Sequence, residues 1–290
     1  MRISVIIPNL NSPIIDKVVE AVLNQAEGEL TIWVVGQDRY RKIPSHPLVN
    51  VLMTPHPVFP GEARNLGAAR SQADVFIFLD ADCIPQPGWL KALIEAWKAH
   101  PDAGAISGAM LPYSSGFIRT CEQIARFHEY INTNRFEERN FLASFSLLVP
   151  YEAWRSSGGF DSRLWATEDL DFTLRLRKQG WKLFFEPKSV VYHEPNRVNL
   201  HQFLHHARLN GAYSIINRLR YADVYRGSFW MHWAWFWVLG SPLIALVRTF
   251  QIYMYTPGLW RYGYCVPLVF MHKLAWCQGA ADGLRYIFHP

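Results

Sequence analysis

Two carboxylates one residue apart, Asp80 and Asp82, stand directly after the apolar run Val75 to Leu79 (VFIFL). Such a pair can chelate a hard divalent cation, which in turn clamps a diphosphate. Spacing alone does not establish this, because Asp169-Leu170-Asp171 repeats the pattern further along the chain. Position argues for it: carboxylates delivered by a buried strand are costly unless something positive meets them. The alternative is a pair of capping or turn aspartates before Pro85.

A second group of acids lies in ATEDLDFTLRLRKQGW, residues 166–181. Thr167 can cap a helix whose first turn holds Glu168 and Asp169, a stabilising place for negative charge. The same geometry presents a carboxylate from a rigid helix end toward a substrate hydroxyl, as a general base requires. In SVVYHEP, His193 ends an apolar strand and could serve as a neutral imidazole ligand to a metal, or as a structural histidine. His201, His205 and His206 share nearby helical faces and read as a surface cluster, with metal binding as the alternative.

These groups need a scaffold, and the apolar runs supply one. Ile3–Ile7, Leu30–Val35 and Val75–Leu79 are short, β-branched or apolar, and end at polar or turn residues, as buried parallel strands do. Helical stretches over Pro13–Asn24 and Gly61–Ser71 separate them. This β-α-β-α-β alternation predicts an open parallel α/β sheet, whose ligands collect at the carboxyl ends of the strands. Further along, the pattern predicts a helix at Trp89–His100, a small-residue strand at Gly104–Met110, and helix and loop over 112–140. A strand at Phe145–Val149, a helix at Glu168–Gln179 and two late strands, Lys182–Phe185 and Ser189–Tyr192, complete this part.

From Val198 the texture changes. Residues 1–196 carry 20 basic and 22 acidic side chains, whereas 197–290 carry 9 and 2, a balance of +7, and hold six of the twelve tryptophans. Basic and Trp-rich sequence without acidic relief suggests an anionic membrane surface before nucleic acid. Leu200, Phe203, Leu204, Ala207 and Gly211 fall at helical spacing. Gly227 to Val247 has no charged residue and is long enough for a span. Gly240-Ser241-Pro242 interrupts it, and Arg226 and Arg248 flank it, which favours a kinked or re-entrant interfacial element. A helical subdomain packed on the α/β part is the other reading. Four cysteines without a C-x-x-C pair, and an opening MRISVIIPNL without a leader pattern, give the expectation of a reducing, cytoplasmic setting.

In order and spacing, SVIIPNLN (4–11), GEARNLGAARSQADVFIFLDADCIPQPGWL (61–90), LLVP (147–150), GGFD (158–161), TEDLDFTLRLRKQG (167–180) and VVYHE (190–194) resemble the family 2 glycosyltransferases, inverting enzymes of the GT-A fold. The likeness covers about the first two thirds of the chain. It implies a nucleotide-diphospho-sugar transferase domain over 1–196, with a Rossmann-like open mixed sheet. A helical, basic and aromatic membrane-associated region over 197–290 follows. Carried over residue by residue, it implies that Asp82 binds Mg²⁺ or Mn²⁺, that Asp80 contacts the ribose or the metal, and that His193 is the third metal ligand. Asp169 would be the base that deprotonates the acceptor hydroxyl, with Glu168 its neighbour. Pro8, in the loop after the first strand, and Arg64 would help hold the nucleotide.

The family has an aspartate directly after its second strand, whereas here Val34-Val35 is followed by Gly36-Gln37-Asp38. Either Asp38 or Gln37 takes over the contact to base and ribose from a shifted loop, or the nucleotide is read differently; UDP is the expected nucleotide. Members acting on lipid-linked acceptors end in membrane-associated helices, so the last third would dock on the cytoplasmic leaflet and bring a lipid-linked or glycan acceptor to Asp169. Arg208 would reach the diphosphate or face solvent and phospholipid. The sugar and acceptor side is expected within 105–165, around SGAMLPYSSG and FLASFS. An inverting transfer needs one base and a metal that absorbs charge on the leaving diphosphate. A retaining transferase on the same fold would differ in the anomeric configuration of its product. A nucleotidyltransferase would want a Gly-rich basic loop after the first strand, which PNLNSP does not offer. A non-catalytic nucleotide- or sugar-binding module is the remaining alternative.

Overall fold

The computed structural model describes residues 1–196, 199–225 and 229–288. Gly227, which opens the uncharged run, Arg226, which flanks it, and Val198 lie outside the described residues. The chain divides into two compact units: Met1–Leu111 with Arg135–Glu194, and Pro112–Asn134 with Pro195–Pro290.

The first unit is a nine-stranded sheet covered by helices. Its elements are β1 (Arg2–Leu10), α1 (Ile15–Leu23), β2 (Glu29–Gln37), β3 (Val49–Met53), α2 (Pro60–Arg70), β4 (Val75–Leu79), β5 (Cys83–Pro85), α3 (Trp89–Ala99) and β6 (Ala103–Met110). After the excursion that carries α4 (Phe117–Phe127) come β7 (Glu137–Glu138), β8 (Ser146–Pro150), α5 (Tyr151–Ser157), α6 (Glu168–Lys178) and β9 (Lys182–His193). The sheet runs in the order β3-β2-β1-β4-β8-β6-β9-β5, with β7 on β9.

The sheet is mixed, where the alternation alone predicts a parallel one. β3, β2, β1 and β4 are parallel, but β8 enters antiparallel between β4 and β6. The two expected late strands are one, β9. Its register against β6 jumps from Ser107↔Phe185 to Ala109↔Val190, so Glu186–Ser189 bulge out and the strand resumes.

All five residues of β4 are buried, as a strand covered on both faces requires. Phe76 and Phe78 stand 5.6 and 5.3 Å, ring centre to ring centre, from Trp154 on α5. Phe160 closes on Phe78 at 5.1 Å. This aromatic cluster brings the chain after α5 back beneath the carboxyl end of β4. There Gly158 and Gly159 adopt φ of 74° and 80°, which glycine takes without a steric penalty.

The second unit is helical: α4, α7 (Leu200–Arg220), α8 (Ala222–Tyr225), α9 (Ala234–Leu239), α10 (Ser241–Tyr255) and α11 (Val266–Phe288), with short 3₁₀ turns between. The sequence reading ran the first domain over 1–196, whereas residues 112–134 group by contact with the helical unit. α4 buries Cys121, Ile124 and Ala125 in one cluster with Phe203, Ile252, Tyr253, Leu259 and Val269, and a helix belongs where its apolar face is covered. Asn199 caps α7 by accepting from the Gln202 amide at 2.9 Å. α7 and α11 approach backbone to backbone: a Cβ on Gly279 would lie 1.8 Å from the Arg208 carbonyl oxygen, and one on Gly211 2.0 Å from that of Trp276. None of the described helices is long and apolar enough to cross a membrane.

Candidate active site

Asp80 and Asp82 sit in a tight turn between β4 and β5. The Cys83 amide donates to the Asp80 carbonyl at 3.0 Å, the i to i+3 bond of a β-turn. β5 then pairs with the end of β9, setting Cys83 opposite His193, and the Glu194 amide donates to the Asp82 carbonyl at 2.8 Å. Ser12 holds the middle of the turn, its hydroxyl donating to the Ala81 carbonyl at 2.6 Å. Two distant segments thus carry one compact group.

Asp82, Cys83 and His193 have ligand atoms all within 4.8 Å of one another, with His193 Nε2 3.6 Å from Asp82 Oδ2. A carboxylate and an imidazole at that separation fit a single divalent ion. Burial, and then the charges of Asp82 and Asp80, push the Cys83 thiol well above its ordinary range. It therefore stays protonated and points its weak donor at Asp82 Oδ1 over 3.8 Å. Asp80 is not in this group; its Oδ1 is taken by Arg64.

Arg64 is the centre of the second half of the site. It is 2% exposed, yet Nη2 meets Asp80 Oδ1 and Nη1 meets Glu168 Oε1, each at 2.6 Å. This bridge joins the turn after β4 to the first turn of α6. Its guanidinium also lies 5.3 Å from the centre of the Phe160 ring. Burial works to lower the Arg64 pKa, and the charges of Asp80, Glu168 and Asp169 more than reverse it.

One guanidinium among four carboxylates leaves the region acidic. Burial, and then the charge of Asp169, push Glu168 up to about 7 against the pull of Arg64. Burial raises Asp80 as well, with Asp82 adding to it and Arg64 opposing. Both results mark a place where a further positive charge would be welcome.

Asp169 is held by backbone amides. Its Oδ2 accepts from the Ser144 amide at 3.1 Å and its Oδ1 from the Leu170 amide at 2.8 Å. The Asp80 amide in turn donates to the Phe145 carbonyl at 3.1 Å, so FLASFS runs between the two acids. Thr167 occupies the N-cap position but does not cap: it stands at φ 63°, and its side chain makes no capping bond. The first turn of α6 is instead held through its acids.

The ordered motifs turn out to be one connected frame. Asn65, the residue after Arg64, reaches across to GGFD, accepting from the Phe160 amide at 2.9 Å and donating to its carbonyl at 2.8 Å. Arg175 on α6 pairs with Asp171 at 2.9 Å and donates to the carbonyls of Ser157 and Gly159. Neither role was legible in the sequence, because the partners lie 95 and 16–18 residues away.

Pro8 lies inside β1, opposite Val35, and not in a loop after it. Pairing with β4 ends at Ile6, so the strand is bonded on one side only where the proline falls, a position that tolerates a missing donor. Asp38 stands just past β2; its Oδ2 accepts from the Ile43 amide at 3.0 Å, and its buried Oδ1 has no partner. Arg208 pairs with Asp282 at 2.6 Å, and His206 lies 3.5 Å from Glu122. Both therefore act within the helical unit, and the three histidines do not converge on one point.

The sequence matches the family described as Glycosyl transferase family 2 over residues 4–149, half of the chain. Over 189 residues it is 26% identical to the Pre-mycofactocin glycosyltransferase of two Mycobacterium tuberculosis strains, covering 62% of this chain and 39% of that protein. The chain thus spans well under half the length of the curated relatives it matches. A mannosyltransferase from Pyrobaculum calidifontis, solved with GDP-Man and Mn²⁺, superposes with a TM-score of 0.58 at 15% identity, over 99% of this chain and 74% of that one. GalNAc-T7, solved with UDP, GalNAc and Mn²⁺, gives 0.53 at 16% identity, over 67% and 44%. The matched segment contains the strands that carry Asp80 and Asp82, and the chain belongs to glycosyl transferase family 2.

Proposed function

We propose that this chain is a metal-dependent, inverting glycosyltransferase. It moves a sugar from a nucleoside-diphosphate sugar to a hydroxyl of a lipid-linked or membrane-proximal acceptor at the cytoplasmic leaflet. The observation that carries the reading is the acidic cluster at the carboxyl end of β4: Asp80, Glu168 and Asp169 around one buried guanidinium, with Asp82 beside Asp80 and against His193. The Mn²⁺ bound with UDP or GDP-mannose in the two solved structures of this fold supports it.

In this reading Asp82 and His193, with Asp80 beside them, hold Mg²⁺ or Mn²⁺, which offsets the charge that builds on the leaving diphosphate. Asp169 takes the proton of the attacking hydroxyl, and the Ser144 and Leu170 amides hold its carboxylate in place. Glu168 and Arg64 position the turn that carries Asp80. Asp38 or Gln37 reads the nucleoside, with UDP the expected donor nucleotide. Attack from the side opposite the diphosphate needs no covalent intermediate, and one base suffices.

The test is calorimetric titration of the full chain with UDP, GDP, CMP and dTDP, each with and without Mn²⁺. One diphosphate should bind only with metal, and Asp82→Ala should abolish that binding. Asp169→Asn should keep the binding and lose transfer by about 10²–10⁴-fold, the range of a general base. Metal-independent binding, or lost binding in Asp169→Asn, contradicts these assignments.

A further inference from the structure

We infer that α9 and α10 form an in-plane membrane contact, lying side-on in the surface of a bilayer that contains anionic lipid. The inference deepens the membrane-proximal acceptor of the proposed function and rests on that reading only for why a bilayer should be near.

The two helices act almost as one. Gly240 keeps right-handed φ and ψ of −79° and −11°. Its amide donates to the Phe236 carbonyl, and the Ile244 amide donates to the Gly240 carbonyl, each at 2.9 Å. One face, Trp237, Ser241, Ala245, Thr249, Ile252 and Tyr253, is buried in the helical unit. The opposite face, at the same three- and four-residue spacing, is Trp235, Leu239, Leu243, Leu246, Phe250 and Met254, and these are 49, 74, 67, 59, 58 and 50% exposed. The outward face is as apolar as the inward one, which an ordinary surface helix never shows. An exposed apolar stripe along some 20 residues of helix, about 30 Å, marks an interaction surface.

Three features select a bilayer as its occupant. Between Asp223 and Asp282 there is no acidic side chain, so nothing repels lipid phosphate. Arg248 and Arg261 are exposed, and neither forms an ion pair within the described residues, which leaves two cations for anionic headgroups. The aromatic residues around the stripe, Trp230, Trp233, Trp260, Tyr255 and Tyr264, are 46–78% exposed, and such rings favour the level of the headgroups. None of the described helices is long and apolar enough to cross a membrane, and the face from Trp237 to Tyr253 is already covered by protein, so only one side is open to lipid and the pair would lie flat.

The test uses the full chain, vesicles of phosphatidylcholine with or without phosphatidylglycerol, and the double variant Leu246→Glu with Phe250→Glu. Both side chains are already solvated, so the fold should survive, which thermal unfolding and Mn²⁺-dependent nucleotide binding verify on the same sample. The parent should sediment with vesicles, more strongly with the anionic lipid, and the variant should lose at least about tenfold in apparent affinity. Three results overturn the inference: no vesicle binding by the parent, equal binding by the variant, or a lipid-free dimer that the variant dissociates, which would make the stripe a contact between copies. Because nucleotide binding is read separately, loss of the membrane contact leaves the transferase assignment standing, and the reverse holds equally.

Discussion

Replacing Glu168 by glutamine tests whether the acid bridged by Arg64 is as hard to ionise as its surroundings require. An exposed glutamate titrates near 4.5, whereas Glu168 is pushed up to about 7, by burial first and by Asp169 second. Between those values the folded state binds a proton that the unfolded state has released, so stability falls as pH rises through the window. At about 1.4 kcal/mol for each tenfold change in proton affinity, the full interval amounts to about 3 kcal/mol. Below pH 4.5 the wild-type side chain is neutral in both states, and the glutamine variant should match it to within about 1 kcal/mol. Above pH 7 the wild type bears the full cost and the variant does not, so the stability difference should move by about 3 kcal/mol in favour of glutamine. Urea unfolding of both proteins at pH 4.5, 6 and 8 reads this directly. Parallel pH profiles would refute the reasoning, since they would mean that the Arg64 ion pair outweighs burial and that Glu168 ionises like a surface acid.

Two other substitutions probe the frame. Arg64→Met removes the shared cation and leaves two carboxylates without it; the protein should lose about 3–5 kcal/mol at neutral pH, and Glu168 should titrate higher still, as its carbonyl stretch in difference infrared spectra would report. Gly279→Val places carbon against the Arg208 carbonyl, which cannot yield, and should destabilise the chain by about 1–3 kcal/mol or more. Gly263→Ala is the control: nothing lies within 4 Å of its added carbon, and thermal unfolding should hardly change.

The core strands and the acids at their ends were legible because their signal is local. VFIFL can be covered on both faces only in a sheet interior, and a strand that ends in DAD must deliver those carboxylates together. What was hidden depends on distance or on tolerance. β3 reads VNVLM and sits at the sheet edge, with Val51 and Met53 about half exposed, so burial never wrote a clear pattern into it. β9 looked like two strands because Glu186-Pro187-Lys188 is a plausible turn, and only pairing with β6 shows that the chain bulges and continues. Arg64 carries a charge that suits a phosphate equally well; that it bridges Asp80 and Glu168 follows from contacts 16 and 104 residues away. That residues 112–134 group with the helical unit was hidden for the same reason: what covers the apolar face of α4 lies far along the chain.

Consider again the dipeptide Ser144-Phe145. Its first amide holds the carboxylate of Asp169, and its second carbonyl holds the backbone of Asp80. The two acids on opposite sides of the proposed transfer are therefore gauged against one two-residue stretch of backbone, as the jaws of a caliper are set by its beam. Loops that choose the sugar or the acceptor can lengthen or change composition without altering the gap across which the bond is exchanged. A slip of β8 by one residue against β4, by contrast, would reset both jaws at once.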